Sequence, residues 1–241
     1  MSTPADTTEK TAALSRDRIV KAAYQLAKKD PINALSMRKI ASKLKVTPMA
    51  IYKYFKDKDE LTAAVIDMQM TRSKLIPEDV DPTNWREWIR SSFQRMRDAY
   101  DEAPGMVQYM SHATTLGPAV LTWQNECLKV LITAGLTPKQ ALTTYSAIAE
   151  LATGSCILVS IRKQGVERVF PSIWKDLTEG KVPNLNEMNS NGVSVVDYPW
   201  VLMCGQAMLE DMQNSRQAFC NEMDLILDSV ENKIAENKAK K

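Results

Sequence analysis

Apolar residues recur every three or four positions along most of this chain, the spacing of a helix with one buried face. Ile19, Ala23, Leu26 and Ala27 predict a first helix, capped by Ser15 and running to about Lys29. Asp30-Pro31 stops it, because proline disfavours a helical residue before it. Met37, Ile40, Ala41 and Leu44 predict a short second helix capped by Ser36. Lys45-Val46 makes a tight turn. Asp57, with Glu60 three residues later, opens a further helix with Leu61, Ala64, Val65 and Met68 inward.

The stretch between the turn and Asp57 is ambiguous in composition. Ile51-Tyr52-Lys53-Tyr54-Phe55 is β-branched and aromatic, which suits a strand. Its entry, Thr47-Pro48, suits a helix, since a threonine hydroxyl can cap and proline can spare its N–H only in the first turn. Ile51 and Phe55 lie four apart and can dock one helical face on a core. A strand between two helices would have no pairing partner. A short helix over about 48–54 is therefore expected.

Beyond "IPEDVDP" the helical spacing continues. Thr83 is expected to cap a helix holding Trp85, Trp88, Ile89, Phe93, Met96 and Tyr100. Pro104 and Pro118 bracket a shorter segment, and another helix follows to about Ala134. Thr137-Pro138 repeats the Thr-Pro start and opens a long helix to about Arg162. Residues 164–198, with three glycines and an Asn-rich run, predict a loose loop that can hold a short helix at 171–178. Tyr198-Pro199 opens another helix, and a last one covers about Ser215 to Ala235, with a frayed tail. The fold class is all-α. The organisation is an N-terminal arm at 1–14, a three-helix module at 15–74 with a helix-turn-helix at 36–55, and a larger helical domain at 75–241.

Charge is unevenly distributed along the chain. The 241 residues carry a formal net charge of only +2. Residues 1–60 hold 13 Lys/Arg against 7 Asp/Glu, while the remainder holds 18 against 22. Residues 36–58 contain seven basic groups (Arg38, Lys39, Lys43, Lys45, Lys53, Lys56, Lys58) and one acid, Asp57. This is either a solvated basic face or an anion-binding module on an acidic body. Four cysteines at wide spacing and a single histidine, His112, give no metal or redox pattern. No secretory signal is read, so free thiols in a cytoplasmic protein are expected. Tyr145 to Ile161, the longest mostly apolar stretch, contains Glu150, Thr153 and Ser155 and is too short and polar to span a membrane. No nucleophile elbow, phosphate loop or dinucleotide fingerprint is present, and no cofactor, metal or catalytic residue is expected.

Two helices joined by a tight turn, the second short and flanked by lysines and tyrosines, make a helix-turn-helix whose second helix enters the DNA major groove. "ALSMRKIASKLKVTPMAIYKYFKDKDEL" resembles the DNA-binding domain of the tetracycline-repressor (TetR) family over residues 15–74. The resemblance makes Arg38 a candidate base contact and lines the reading surface with Thr47, Pro48, Met49, Ala50 and Lys53. It places Tyr52, Tyr54 and Lys58 at phosphates. Arg38 can instead pair with an acid, Lys53 can be solvated, and Tyr54 can belong to the core. One departure stands out: Lys45 occupies the turn position where the family usually has glycine.

Further on, "GLTPKQALTTYSAIAELATGSCIL" resembles the family's eighth helix, and "YPWVLMCGQAMLEDMQNSRQAFCNEMDLILDSVENKI" the end of its tetracycline-repressor-like C-terminal domain. The resemblance implies a homodimer through helices at about 138–162 and 215–235. Ala147, Ala149, Ala152, Gly154 and Ser155 would allow close helix approach, although a buried core helix would look similar. It also implies a pocket for a small, largely apolar effector, with Met68, Trp88, Ser92, Met96, Tyr109, Met110, His112, Thr115 and Trp123 as candidate lining. His112 and Thr115 fall near the place where tetracycline-binding members have a metal-binding histidine and a threonine. Lys74 and Ser92 stand where those members have a histidine and an asparagine, so tetracycline and magnesium are not carried over.

The expectation is a homodimeric repressor that binds a palindromic double-stranded DNA operator and is released by a small effector. The alternatives are an all-α enzyme with a vestigial head, for which Glu150 is the one isolated suspect, and an activator or global regulator of the same fold.

Overall fold

Side-chain caps start the first two helices. Ser15 Oγ accepts from Arg18 N–H at 3.2 Å and opens α1 (Arg16–Ala27). Ser36 Oγ accepts from Lys39 N–H at 3.2 Å and opens α2 (Met37–Leu44). α3 (Pro48–Tyr52) and α4 (Lys58–Arg72) complete the N-terminal module. The structure, a computed structural model, describes residues 13–28, 34–103, 107, 117–169, 171–179, 181, 184, 192 and 194–240.

The body contains, among the described residues, α5 (Trp85–Glu102), α6 (Pro118–Ala134), α7 (Pro138–Val169), α8 (Pro171–Thr178), α9 (Pro199–Met203), α10 (Gly205–Gln213) and α11 (Ser215–Ala239). The fold is all-α. α1 packs on α2 and α4, and α2 on α3. α4 leans on α5 and α6, while α5 is enclosed by α6, α7 and α11. One apolar core runs from Ile19 in α1 to Ile234 in α11. At the centre of the body Phe93, Trp123 and Tyr145 stack edge to face or tilted, with ring centroids 5.0, 5.5 and 5.9 Å apart.

Several expected boundaries move, each for a local reason. α3 is shorter than 48–54: Lys53 and Tyr54 form a turn, with Tyr54 N–H bonded to Ile51 carbonyl at 2.9 Å. Thr47 stands at the N-cap with extended backbone, but its hydroxyl caps nothing. The second Thr-Pro start does use its hydroxyl. Gln140 N–H donates to Thr137 Oγ1 at 3.3 Å, and Gln140 Oε1 accepts from Thr137 N–H at 2.9 Å, a reciprocal capping box. Thr83 does not cap α5; it closes a turn on Asp81, and Asn84 takes the cap position.

α7 runs to Val169 rather than Arg162, so the stretch 164–198 is not a loop throughout. A single glycine, Gly165, costs a helix about 1 kcal/mol and does not break it. α8 falls on 171–178 as expected. α11 continues to Ala239 because Asn237 Nδ2 ties its last turns to Gly135 carbonyl (2.9 Å) and Gln140 Oε1 (2.8 Å).

Candidate nucleic-acid interface

α3 and the turn that follows it present two opposed faces. Ile51 and Phe55 are 0% and 1% exposed and lock them to the core, while Met49 is 72% exposed. Tyr52, Lys53, Thr47 and Arg38 are exposed as well, and Pro48 and Ala50 are half-buried. The turn that aims the helix is a Schellman motif. Val46 N–H bonds Ala41 carbonyl at 3.0 Å, Lys45 N–H bonds Ser42 carbonyl at 3.2 Å, and Lys45 is left-handed at φ 56°, ψ 43°. No ion pair engages Arg38 among the described residues.

The far end of α3 is held by groups distant in sequence. Arg16 Nη1 donates to Tyr54 carbonyl and to Glu60 Oε1, each at 2.8 Å, and its guanidinium lies 4.1 Å over the Phe55 ring. Glu60 Oε2 accepts from Lys56 N–H at 2.7 Å, while Asp57 Oδ1 caps α4 by accepting from Glu60 N–H at 2.8 Å. The Lys56 amide, followed by Arg16, holds the Glu60 carboxyl below its ordinary range. Arg16 is a positioning residue that the sequence pattern misses, because its partners lie 38 and 44 positions away. The Tyr54 hydroxyl donates to Leu14 carbonyl at 2.7 Å within the chain.

Among the described residues of the body, the expected effector residues fall in different places. Ser92 and Trp123 meet directly. Ser92 Oγ donates to Leu75 carbonyl at 2.8 Å and accepts from Trp123 Nε1 at 2.6 Å, and both side chains are buried. Beside them burial pushes the Cys127 thiol up to about 12. Trp88 and Met96 are 3% exposed and belong to the core. Met68 faces elsewhere, on a cleft of about 730 Å³ between α1, α4 and the start of α6. Trp123 also lines a cleft of about 350 Å³ with Met70, Leu75, Ile76 and Thr122. Tyr109, Met110, His112 and Thr115 lie outside the described residues. Glu150 is exposed on the outer side of α7.

α4 joins the two parts. Asp67 Oδ1 accepts from Ala119 N–H at 2.8 Å and so caps α6, whose own N-cap, Gly117, has no side chain to offer. α7 and α11 leave a groove of about 740 Å³ between them. Leu225, 74% exposed, lies along it, and Leu142, 49% exposed, projects from α7. Ala147 is half-buried beside it, and a Cβ on Gly154 would meet nothing within 4 Å. Ala152 is fully buried against the chain's own core, so it does not serve the outer face.

A tight-turned pair of helices, the second locked to the core on one side and exposing Met49 on the other, packed on a larger helical body, has the form of a helix-turn-helix protein. Residues 19–65 match the model of the bacterial regulatory proteins of the tetR family, and residues 77–234 match the tetracyclin repressor-like C-terminal domain. The chain belongs to the tetR family. It is similar to the HTH-type transcriptional repressor DrrR1 of Streptomyces coeruleorubidus, 25% identical over 179 residues, which are 74% of this chain and 66% of DrrR1. It is also similar to the HTH-type transcriptional repressor Rv1353c of Mycobacterium tuberculosis, 27% identical over 150 residues, which are 61% of this chain and 58% of that protein. In fold it is similar to ActR of Streptomyces coelicolor in complex with actinorhodin, with a TM-score of 0.72 at 20% identity over 92% of this chain and 99% of ActR. A similar fold is found in a variant of TetR from Acinetobacter baumannii AYE in complex with minocycline, with a TM-score of 0.61 at 18% identity over 91% and 94% of the two chains. Among the described residues no helix is long and apolar enough to cross a membrane.

Proposed function

We propose that this chain is a homodimeric transcriptional repressor that binds a palindromic operator in the cytoplasm and is released by a small, largely apolar effector. The split of α3 carries the reading: Ile51 and Phe55 are sealed in the core, whereas Met49 projects from the first turn. Met49 and Ala50 offer apolar contact to thymine methyls. Arg38, Thr47, Pro48 and Lys53 complete the base-facing edge. Tyr52 and Lys58 hold phosphates, while Tyr54 ties down the segment ahead of α1.

One head reads a half-site, so two heads about one DNA turn apart read a palindrome. Leu225, exposed along the α7–α11 groove, supports a second copy docking there, and the exposed Leu142 and the open Gly154 on α7 leave room for a helix beside it. The body is the proposed effector site, with the cleft at Trp123 as its described entrance. Ligand-bound relatives of this fold support an effector. An effector that favours one arrangement of the body shifts the head spacing through α4. The decisive measurement is fluorescence anisotropy on DNA upstream of the chain's own gene across a salt series, with sedimentation to count copies. Equal affinity for a scrambled duplex at physiological salt overturns the operator reading, and a monomer on the DNA overturns the dimer.

A further inference from the structure

Two turns of this fold share one hydrogen-bond pattern and differ in the residue at its left-handed position. After α6, Leu136 N–H bonds Leu131 carbonyl at 3.2 Å and Gly135 N–H bonds Ile132 carbonyl at 3.0 Å, with Gly135 at φ 125°. After α2, Val46 N–H bonds Ala41 carbonyl and Lys45 N–H bonds Ser42 carbonyl in the same two registers, with Lys45 at φ 56°. These bonds are all between backbone groups, so glycine would make every one of them at either site without steric strain. At Gly135 a Cβ would already touch Ile234 Cγ2, at 3.4 Å. At Lys45 the side chain is exposed, so space places no demand on the residue.

The only other described residue that is non-glycine and left-handed is Lys74, at φ 47°. There the arrangement is used within the chain: the Lys74 carbonyl accepts from Arg95 Nη1 at 3.1 Å. Lys45 brings a second burden besides strain. It adds a positive charge to a stretch that already exposes Lys43 and Lys53, and among the described residues no ion pair engages any of the three. Strained backbone that persists without internal return is drawn to binding sites, where a ligand supplies the return.

We propose that Lys45 is a DNA-backbone contact in its own right, its left-handed turn presenting an ammonium to a phosphate beside the reading helix. The proposal rests on α2 and α3 being the DNA-binding motif. A lysine here adds sequence-independent, salt-sensitive affinity, since each phosphate neutralised releases counterions. It leaves the base-facing edge at Thr47 to Ala50 unchanged.

The test compares the full chain with Lys45→Gly, Lys45→Asn and Lys45→Arg, by melting and by anisotropy on the upstream duplex and a scrambled duplex over a salt series. The Gly and Asn variants are expected to melt at the wild-type temperature or slightly above it. Both are expected to bind both duplexes several-fold more weakly, with the slope of log K against log salt reduced by about one for each bound head. Lys45→Arg keeps affinity and slope. Asparagine tolerates the left-handed region, so a loss shared by both variants does not come from glycine loosening the turn. A Gly variant with wild-type affinity and slope overturns the proposal while the wild-type binding upholds the DNA-binding reading. A Gly variant that melts several degrees lower also overturns it, because the turn then has another need for its lysine. A wild-type chain that binds neither duplex overturns the DNA-binding reading and this proposal together.

Discussion

Arg16 and Glu60, 44 residues apart, meet at 2.8 Å and between them hold the two ends of the turn that follows the reading helix. Arg16 takes the Tyr54 carbonyl and Glu60 the Lys56 amide, so the exit of α3 is fixed by the first residue of α1 and the first turn of α4. The pair is exposed, and such pairs contribute little to stability by themselves. Its consequence is geometric. Arg16→Met is expected to leave the melting temperature within a few degrees of wild type yet weaken operator binding. Anisotropy and thermal melting on the same samples check this, and an Arg16→Met chain with full affinity would remove Arg16 from the positioning role.

The same bracket carries a pH signature. Glu60 is held below its ordinary 4.5, first by the Lys56 amide and then by Arg16. A carboxyl depressed in the folded state contributes stability that is fully present above its unfolded value and is lost as pH falls through the lower folded value. Glu60→Gln lacks this titration. The melting-temperature gap between wild type and Glu60→Gln is therefore expected to be constant above about pH 5 and to narrow below the ordinary carboxylate range. Paired melts from about pH 7 to about pH 3 read this directly, and a gap that stays constant throughout contradicts it.

The two faces of α3 separate stability from recognition. Phe55→Ala removes a buried ring and is expected to cost about 3–5 kcal/mol. Met49→Ala removes a side chain that is 72% exposed and is expected to change stability by less than about 0.5 kcal/mol. Its effect falls on discrimination: operator and scrambled duplex move closer in affinity. Urea titration and competition binding distinguish the two, and a Met49→Ala chain with undiminished preference would show that Met49 faces solvent in the complex.

Local chemistry makes much of this legible. Ser15, Ser36 and Asp57 are short polar side chains just ahead of apolar-periodic runs, and each caps the helix it announces. Ile51 and Phe55 reveal α3 as a helix because four-residue spacing needs no distant partner to be recognised. The left-handed Lys45 is marked by a lysine at a turn that favours glycine. What stays hidden depends on contacts across the chain. Thr47 and Thr137 both precede proline, yet only Thr137 has a glutamine three residues later to return its bond. The bond from the Tyr54 hydroxyl to the Leu14 carbonyl, 40 residues away, cannot be read from local spacing. Ser92 and Trp123 suit a pocket by type, but that they are 31 residues apart and bonded to each other is written nowhere in the local pattern.

That mutual satisfaction predicts a large effect from a small substitution. Ser92→Ala deletes one hydroxyl and leaves both the Trp123 N–H and the Leu75 carbonyl buried without it. Each stranded group costs about 1–3 kcal/mol. A loss of several degrees in melting temperature is expected, at about 2–4 °C per kcal/mol for a chain of this size. Calorimetry checks the loss, and a shift under about 1 °C would mean that water or a rearranged indole replaces the hydroxyl.

The junction between head and body yields the most specific prediction. Asp67 on α4 caps α6 through Ala119 N–H, and a Cβ on Gly117 would sit 2.3 Å from Asp67 Oδ1, inside contact distance. Removing the cap with Asp67→Ala is expected to cost about 1 kcal/mol. Gly117→Ala is expected to cost more in the wild-type background, because the new methyl must push the carboxylate off the helix N-terminus. In an Asp67→Ala background the contacts with Oδ1 and Cγ are gone and only the residue 67 Cβ, 3.1 Å from the new methyl, has to give by a few tenths of an ångström, so the double variant is expected to be more stable than the sum of the single losses. Urea midpoints for the four chains complete the cycle. Additive losses would mean that Gly117 is set by its own backbone and not by the approach of α4, and that α4 moves independently of α6.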